Sequence, residues 1–498
     1  MTDVIVIGGG PAGMLAALSA ADLGARTVLA TRGAFGGMAA NDGPIPVRAL
    51  SQAARLIRDA RQLGQYGIAV SEPVLDYWRL LARVREVVDD VDAHIAERER
   101  IDALGVTIHE HVGSVRFADP HTIVTTAGLR LQAEKIIICT GGVSRRLPVP
   151  GFEFTSTHSD AWRLTAVPPS MLVIGGGDAG LQVASIFNAF GSQVQILETA
   201  PRILLHADDD VAAAVAAAFR ASGIVVRENF GAIESFEKTA AGVRMNFSKG
   251  GHRGSAEAAL AVMAVGWTAD TASMGLATAG VELNQRGFVE VDEYLRTSAP
   301  HIFAAGDVTG RLMLVPEAIQ DGFVAATNAV RGPTMPIRDR VSPSGSFTDP
   351  EFGQVGLTET KARQAHNIVI AVVRFDSTTR TIIDGHKFGF CKLIADADTS
   401  RILGCHVVGE RAVDIVQMAA IAIAGGMRVD DLAAVPLSFP TYEGILFNAA
   451  ASTAWQLGLP VVWRAHQVEG QWQGNSATPP GAVPSGVTER GALSMQAS

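Results

Sequence analysis

Short apolar runs of strand length punctuate the chain, most of them followed by glycines and a helical stretch. VIVI (4–7), TVLA (27–30), IIIC (136–139), MLVI (171–174), VQIL (194–197) and LAVM (260–263) are of this kind. Unbroken apolarity, rather than alternation, predicts parallel strands covered on both faces, with the helical stretches as crossovers. The pattern therefore predicts an α/β chain. Val413 to Gly425 reads as a strongly apolar helix, and Gly444 to Trp463 as a core helix with an exit segment. Val74 to Leu104 reads as a long charged helical excursion, and GFCKLIADADTSRILGCHV (389–407) as a hairpin. If Ala395 pairs with Arg401 there, Cys391 and Cys405 face each other, and reduced thiols are expected.

An internal repeat organises the first two thirds. VIVIGGGPAG (4–13) and MLVIGGGDAG (171–180) share an apolar run, G-x-G-x-x-G and a small-residue helix, 167 residues apart. Gly24 and Gly191 keep that offset, each just before a second apolar run. Two fingerprints in register predict two dinucleotide-binding units. Gly8 and Gly175 allow the turn out of the strand, Gly10 and Gly177 let the backbone approach a pyrophosphate, and Gly13 and Gly180 let helix pack on strand. The helix N-termini then face the phosphates. At the end of the second strand, where a ribose carboxylate is expected, the second unit has Glu198 and the first has Thr31. Glu198 favours NAD(H) over NADP(H). KIIICTGG (135–142) brings Thr140 and Gly141 to a strand end, and TSAPHIFAAGDVTG (297–310) does the same for Asp307, suited to a ribityl or phosphate-side contact.

Composition narrows the classes. Hydrophobic residues at 48% and charged ones at 18% exclude global disorder and supply cores for about three domains. A net charge of −9 without a long Lys/Arg run argues against nucleic acid and anionic membranes as partners. Three cysteines are too few for a disulfide framework, which favours a reducing, cytoplasmic setting. No targeting segment and no membrane span are expected. The acidic run Asp208–Asp210 reads as a solvated helix start rather than a cation site.

These residues resemble the pyridine nucleotide-disulfide oxidoreductase flavoproteins, which include dihydrolipoyl dehydrogenase, mercuric reductase and soluble transhydrogenase. The resemblance runs from about residue 3 to 460. It rests on GGGPAG, FGG (35–37), CTGG, GGGDAG, AVGW (264–267), AAGDV (304–308), FTDPEFGQVGLTE (347–359) and RILGCHVVG (401–409). It implies two Rossmann-like domains, the first for FAD and the second for NAD(H), plus an α+β C-terminal dimerisation domain and a homodimer. It adds Gly37, Val115, Leu314 and Gly266 to the cofactor-binding set.

The departures bear on mechanism. The family carries two redox cysteines and a lysine in GG-x-C-x-N-x-G-C-I-P-x-K; here the cysteine positions are Ala39 and Pro44, and the lysine is Arg48. Neither Ala nor Pro forms a thiolate. The lysine's usual glutamate partner aligns with Gln182, which leaves Arg48 uncompensated beside the flavin or else solvated. The family's H-P-T-x-x-E motif reads Phe439-Pro440-Thr441-Tyr442-Glu443-Gly444. Phe439 cannot carry a proton, and Glu443 sits one residue early. Phe439 either lines an apolar acceptor pocket, with Tyr442, or packs in a core. Asp178 stands where several relatives have an aromatic gate, and Pro316 where many have His.

The expected organisation is an FAD domain of residues 1–152 and 269–335, an NAD domain of 153–268, a dimerisation domain of 340–465 and a disordered tail of 466–498. The expected activity is FAD-dependent NAD(P)H:acceptor oxidoreduction without a disulfide. A small-molecule acceptor, quinone-like, would meet the flavin in the cleft formed by Ala39, Pro44 and the partner's Phe439. Arg48, Phe439 and Glu443 are the candidate catalytic positions. A pyridine nucleotide transhydrogenase and a non-catalytic flavin-binding sensor remain alternatives.

Overall fold

A computed structural model describes residues 2–93 and 96–460; the tail expected at 466–498 lies outside them. The chain opens with β1 (Thr2–Ile7), α1 (Pro11–Asp22), β2 (Thr27–Ala30), α2 (Gly37–Asn41) and α3 (Pro44–Gln62). The described parts of the segment read as one helical excursion are helical, α4 (Tyr77–Ala93) and α5 (Ala96–Ala103). The first starts at Tyr77 rather than Val74 because Pro73 precedes it and the Asp76 carboxylate caps the Arg79 amide at 3.1 Å. Then come β3 (Thr107–His109), β4 (Val115–Asp119), β5 (Thr122–Thr125) and β6 (Arg130–Ile138). β1 pairs in parallel with β2 and β6, and β2 with β3. The lower half of β6 forms an antiparallel meander with β5 and β4.

The second unit repeats this arrangement. It comprises β7 (Gly142–Ser144), β8 (Ser156–Thr157), α6 (His158–Ala161), β9 (Ser170–Ile174), α7 (Asp178–Ala189), β10 (Gln193–Glu198), α8 (Asp209–Ala221) and β11 (Val225–Glu228). An antiparallel sheet of β12 (Ala232–Thr239), β13 (Gly242–Lys249) and β14 (His252–Ala258) precedes β15 (Leu260–Met263) and β16 (Trp267–Ala269). The parallel order is β11-β10-β9-β15-β8. β17 (Ile302–Ala304) then returns to the first sheet beside β6, giving the matching order β3-β2-β1-β6-β17, and α9 (Val315–Arg331) packs on α1. The central residues Val4 to Ile7 and Met171 to Ile174 are all 1% exposed or less, which is why these runs carry no polar alternation.

The C-terminal domain holds the antiparallel sheet β18-β19-β22-β21-β20, made of β18 (Ser344–Ser346), β19 (Phe352–Gly356), β20 (Ile368–Arg374), β21 (Phe390–Asp396) and β22 (Ile402–Val408). Around it lie α10 (Glu359–Ala365), α11 (Thr379–Ile383), α12 (Ala412–Ala424), α13 (Val429–Ala434) and α14 (Gly444–Gln456). α12 and α14 bury Ile415, Val416, Ile445 and Phe447 against β21 and β22. The hairpin register differs from the one considered above. Cys405 faces Leu393 and Cys391 faces Val407, because Ala395 already faces Ile402 rather than Arg401 and an irregularity at Ile394/Ala395 shifts the pairing by one residue more. The two thiols are diagonal neighbours, reduced and buried, with Sγ atoms 3.8 Å apart. Among the described residues no helix is long and apolar enough to cross a membrane.

Candidate active site

Both fingerprint turns have the same local geometry. Gly8 and Gly175 adopt φ of +112° and +110°, and a Cβ at either would strike the carbonyl of Cys139 or Ala264 within 2.3 Å. Gly13 and Gly180 sit so close to the turn above that a Cβ would lie 2.0 Å or less from the Gly8 or Gly175 carbonyl. α1 and α7 thereby start at the carboxyl edges of their sheets, with Gly10 and Gly177 as extended N-caps whose own side-chain positions face open space or another glycine. No side chain caps either helix, so their first amides stay available to an anion.

The first unit carries polar groups that fit FAD. Gly37, at φ +58°, approaches Gly10 so closely that a Cβ would stand 2.7 Å from the Gly10 Cα. Thr140, at the end of β6, buries its hydroxyl without a hydrogen-bond partner. Asp307, at the end of β17, has no ion-pair or hydrogen-bond partner among the described residues for its carboxylate, and burial pushes its pKa up to about 6. Two unpartnered polar groups at one sheet edge suit hydroxyl-rich ligand atoms. Thr31 is buried beside Gly9, and its amide bonds the His109 carbonyl at 2.9 Å. Gly141 lies in the left-handed region next to Thr140, and Leu314 is the N-cap of α9, with Pro316 in that helix's first turn. Val115 points its side chain into the core under β4, which leaves only its main chain for a ligand.

In the second unit, Glu198 ends β10 and turns back over the fingerprint. Its Oε2 accepts the Gly176 amide at 2.6 Å and its Oε1 the Ala200 amide at 2.7 Å. Arg202 is committed elsewhere, to the carbonyls of Leu204 and Ala207 at 2.5 and 2.8 Å and to Asp209 at 2.9 Å. Gly266 follows β15 at φ +100° with open space where a Cβ would be. Asp178 heads α7, and its carboxylate lies 3.5 Å from His206 Nε2. One expectation is overturned in part: α8 does start at this acidic run and Asp209 is exposed, but Asp208 is not solvated. It is buried, and the cation it meets is Lys392 at 3.2 Å.

The two units meet at Arg48. Its Nη1 donates to Gln182 Oε1 at 2.6 Å, and its guanidinium lies 3.5 Å over the Phe347 ring. No carboxylate pairs with it among the described residues. Burial pushes its pKa down to about 10, so it is charged at neutral pH. The solvated alternative for Arg48 is thus replaced by a sandwiched cation. The sequence offered no signal for Phe347, since nothing in its spacing links it to Arg48. Ala39 lies within α2 and Pro44 opens α3, on the turns leading to Arg48. A cavity of about 1070 Å³ runs from Pro44 and Arg48 along α3, bounded across the domain junction by Phe347 and Phe388.

The C-terminal motif lines a neighbouring cavity, in which Pro440 to Glu443 face Arg55 and Glu410, two residues that also line the cavity at Arg48. Phe439 is 82% exposed, which excludes the core-packing alternative. Tyr442 donates to Asp384 Oδ2 at 2.9 Å, and Glu443 is the residue preceding α14.

Residues 2–322 match the family described as Pyridine nucleotide-disulphide oxidoreductase, and residues 342–450 match its dimerisation domain, which supports a homodimer. The chain belongs to this family of FAD-dependent pyridine nucleotide oxidoreductases. Among its relatives, a dihydrolipoyl dehydrogenase of Thermus scotoductus is 33% identical, over 90% of this chain and 96% of its own. The mercuric reductase of Bacillus cereus is 29% identical, over 86% of this chain and 68% of its own. The HOCl-induced flavoprotein disulfide reductase RclA from Escherichia coli superimposes with a TM-score of 0.79 at 25% identity, over 90% of this chain and 99% of that one.

Proposed function

We propose that this protein is a homodimeric, FAD-dependent NADH:acceptor oxidoreductase that delivers electrons to a small non-disulfide acceptor of quinone type. The observation that carries the reading is the junction at Arg48, where a charged guanidinium with neutral partners stands next to turns bearing Ala39 and Pro44. The names dihydrolipoyl dehydrogenase and disulfide reductase denote thiol and disulfide chemistry, which calls for an accessible cysteine pair; Cys139, Cys391 and Cys405 are all buried, and none lies on α2 or α3.

Bound flavin supplies the redox chemistry, accepting a hydride from NADH and passing electrons on. The side chains divide the remaining work. Thr140, Asp307 and the amides behind Gly10 would hold the flavin nucleotide. Glu198 would accept ribose hydroxyls and repel a 2′-phosphate, and Arg202, committed to carbonyls and to Asp209, offers that phosphate no cation. Arg48 is charged at neutral pH and its hydrogen-bond partner Gln182 brings no opposing charge, so it favours negative charge developing beside it. Phe439 offers an acceptor an apolar surface and no proton.

Anaerobic mixing with NADH tests the reading. Bleaching of the flavin, no long-wavelength thiolate–flavin band, and rapid reoxidation by soluble quinones are expected. Absence of bleaching by either nicotinamide would sink the enzyme reading, and reoxidation by a second nicotinamide alone would replace the quinone.

A further inference from the structure

The segment 199–208, between β10 and α8, touches the second fingerprint at several points. Its near end is held by Glu198, whose carboxylate joins the amides of Gly176 and Ala200 at 2.6 and 2.7 Å. In its middle, the Leu204 amide donates to the Gly176 carbonyl at 2.9 Å, and Ile203 packs where a Gly176 Cβ would be. His206 stands 3.5 Å from Asp178, the first residue of α7. Arg202 stiffens the whole run through the Leu204 and Ala207 carbonyls. The segment is therefore a strap across the turn that would bind the nucleotide.

Its far end is fastened outside its own domain. Asp208 precedes α8 without capping that helix through its side chain. Its carboxylate instead accepts the Glu359 amide, at 2.9 and 3.2 Å, at the start of α10 in the dimerisation domain. Lys392 of β21 completes the knot, with Nζ 2.6 Å from Glu359, 3.0 Å from Asp210 and 3.2 Å from Asp208. Lys392 is 3% exposed and Asp208 5%. His406 closes one side at 3.5 Å from Asp208, with Nε2 3.0 Å from the Leu357 carbonyl. Desolvation of such an ion pair offsets much of its attraction, so an apolar pair would stabilise the junction about as well. What the ions add is direction: three carboxylates converge on one lysine, the Glu359 amide donates to one of them, Asp208, and together these contacts fix where residue 208 sits.

We propose that Asp208 and Lys392 are positioning residues for the pyridine nucleotide, pinning the strap to the dimerisation domain so that Glu198, Gly176 and Asp178 are held in binding geometry. The proposal rests on the second unit holding the nucleotide and is independent of the electron acceptor. It makes the dimerisation domain part of the nucleotide site, at a distance.

ADP-ribose, which binds without turnover, is the probe. Its affinity for the flavin-loaded dimer is measured by calorimetry for wild type, Lys392→Met, Asp208→Asn and Lys392→Arg. Expected is a loss of about tenfold or more in Lys392→Met and Asp208→Asn, with Lys392→Arg within about threefold of wild type. Flavin content and dimer mass should stay unchanged, and the KM for NADH should rise more than kcat falls. Wild-type affinity in a folded Lys392→Met or Asp208→Asn dimer overturns the proposal. Should Lys392→Met not fold, Asp208→Asn decides, since its amide oxygen can still accept from Glu359. Wild-type protein that ignored ADP-ribose would overturn the nucleotide assignment of the second unit, and the strap with it.

Discussion

Arg48 and Gln182 are 134 residues apart and join the two nucleotide units through one hydrogen bond of 2.6 Å. The guanidinium also lies 3.5 Å over Phe347, and among the described residues no carboxylate forms an ion pair with it. Arg48→Met should slow NADH-driven flavin reduction by roughly 10- to 100-fold, as expected for losing one preorganised electrostatic group, with Arg48→Lys recovering part of the rate. Gln182→Glu should lower the flavin reduction potential by supplying the missing negative charge. Anaerobic stopped-flow and dye-equilibration titration read these outcomes.

Glu198 faces the fingerprint rather than solvent, and Arg202 is engaged elsewhere. Wild type should therefore prefer NADH to NADPH in kcat/KM. Glu198→Gln should shrink that preference by about tenfold, the equivalent of about 1.4 kcal/mol. Steady-state kinetics with both nucleotides decide it, and an NADPH-preferring wild type contradicts the role of Glu198.

Asp307 is held in the fold with a pKa near 6, above the ordinary 3.8. The folded state binds this proton more tightly than the unfolded chain, so flavin-free protein loses stability as pH rises from about 4 to 6 and the loss persists above that. Asp307→Asn should stabilise the flavin-free protein at pH 7 by about 1–2 kcal/mol, have little effect at pH 4, and retain FAD less well. Thermal melts at the two pH values, with and without FAD, test both halves.

His158 is buried against Trp267, with ring centroids 4.5 Å apart, and burial lowers its pKa from 6.5 to about 4. Here the unfolded chain binds the proton more readily, so stability is lost as pH falls from 6.5 towards 4. The loss from this group amounts to at most about 3 kcal/mol. His158→Gln should flatten the acid limb of the melting-temperature profile between those values.

A chain in which Cys139, Cys391 and Cys405 are all replaced by Ala or Val should keep its NADH:acceptor activity per folded, flavin-loaded protein. It should lose about 1–2 kcal/mol of stability per site from these fully packed positions. Loss of activity from a folded, flavin-loaded cysteine-free chain would restore thiol chemistry to the mechanism.

Much of the architecture was legible because its signals are local. The 167-residue repeat places Gly8 and Gly175 in the same turn, and no side chain other than hydrogen fits either one. Unbroken apolar runs mark parallel strands because both faces are covered. The hairpin of Cys391 and Cys405 was found, yet its register was not, since the turn sets Ala395 against Ile402 and an irregularity at Ile394/Ala395 moves every partner beyond it once more, and neither leaves a mark in composition.

By itself the sequence determined the doubled fingerprint scaffold, the identity of every fingerprint residue, and the presence of Ala39 and Pro44 ahead of Arg48. Those are properties of residue type and spacing. Only the tertiary structure decided which distant side chains meet: Arg48 with Gln182 and Phe347, Phe439 exposed rather than packed, and Asp208 on Lys392 rather than in water. Such meetings depend on how elements far apart in the chain pack together. A carboxylate beginning a helix has the same sequence context whether solvent or a neighbouring domain supplies its cation.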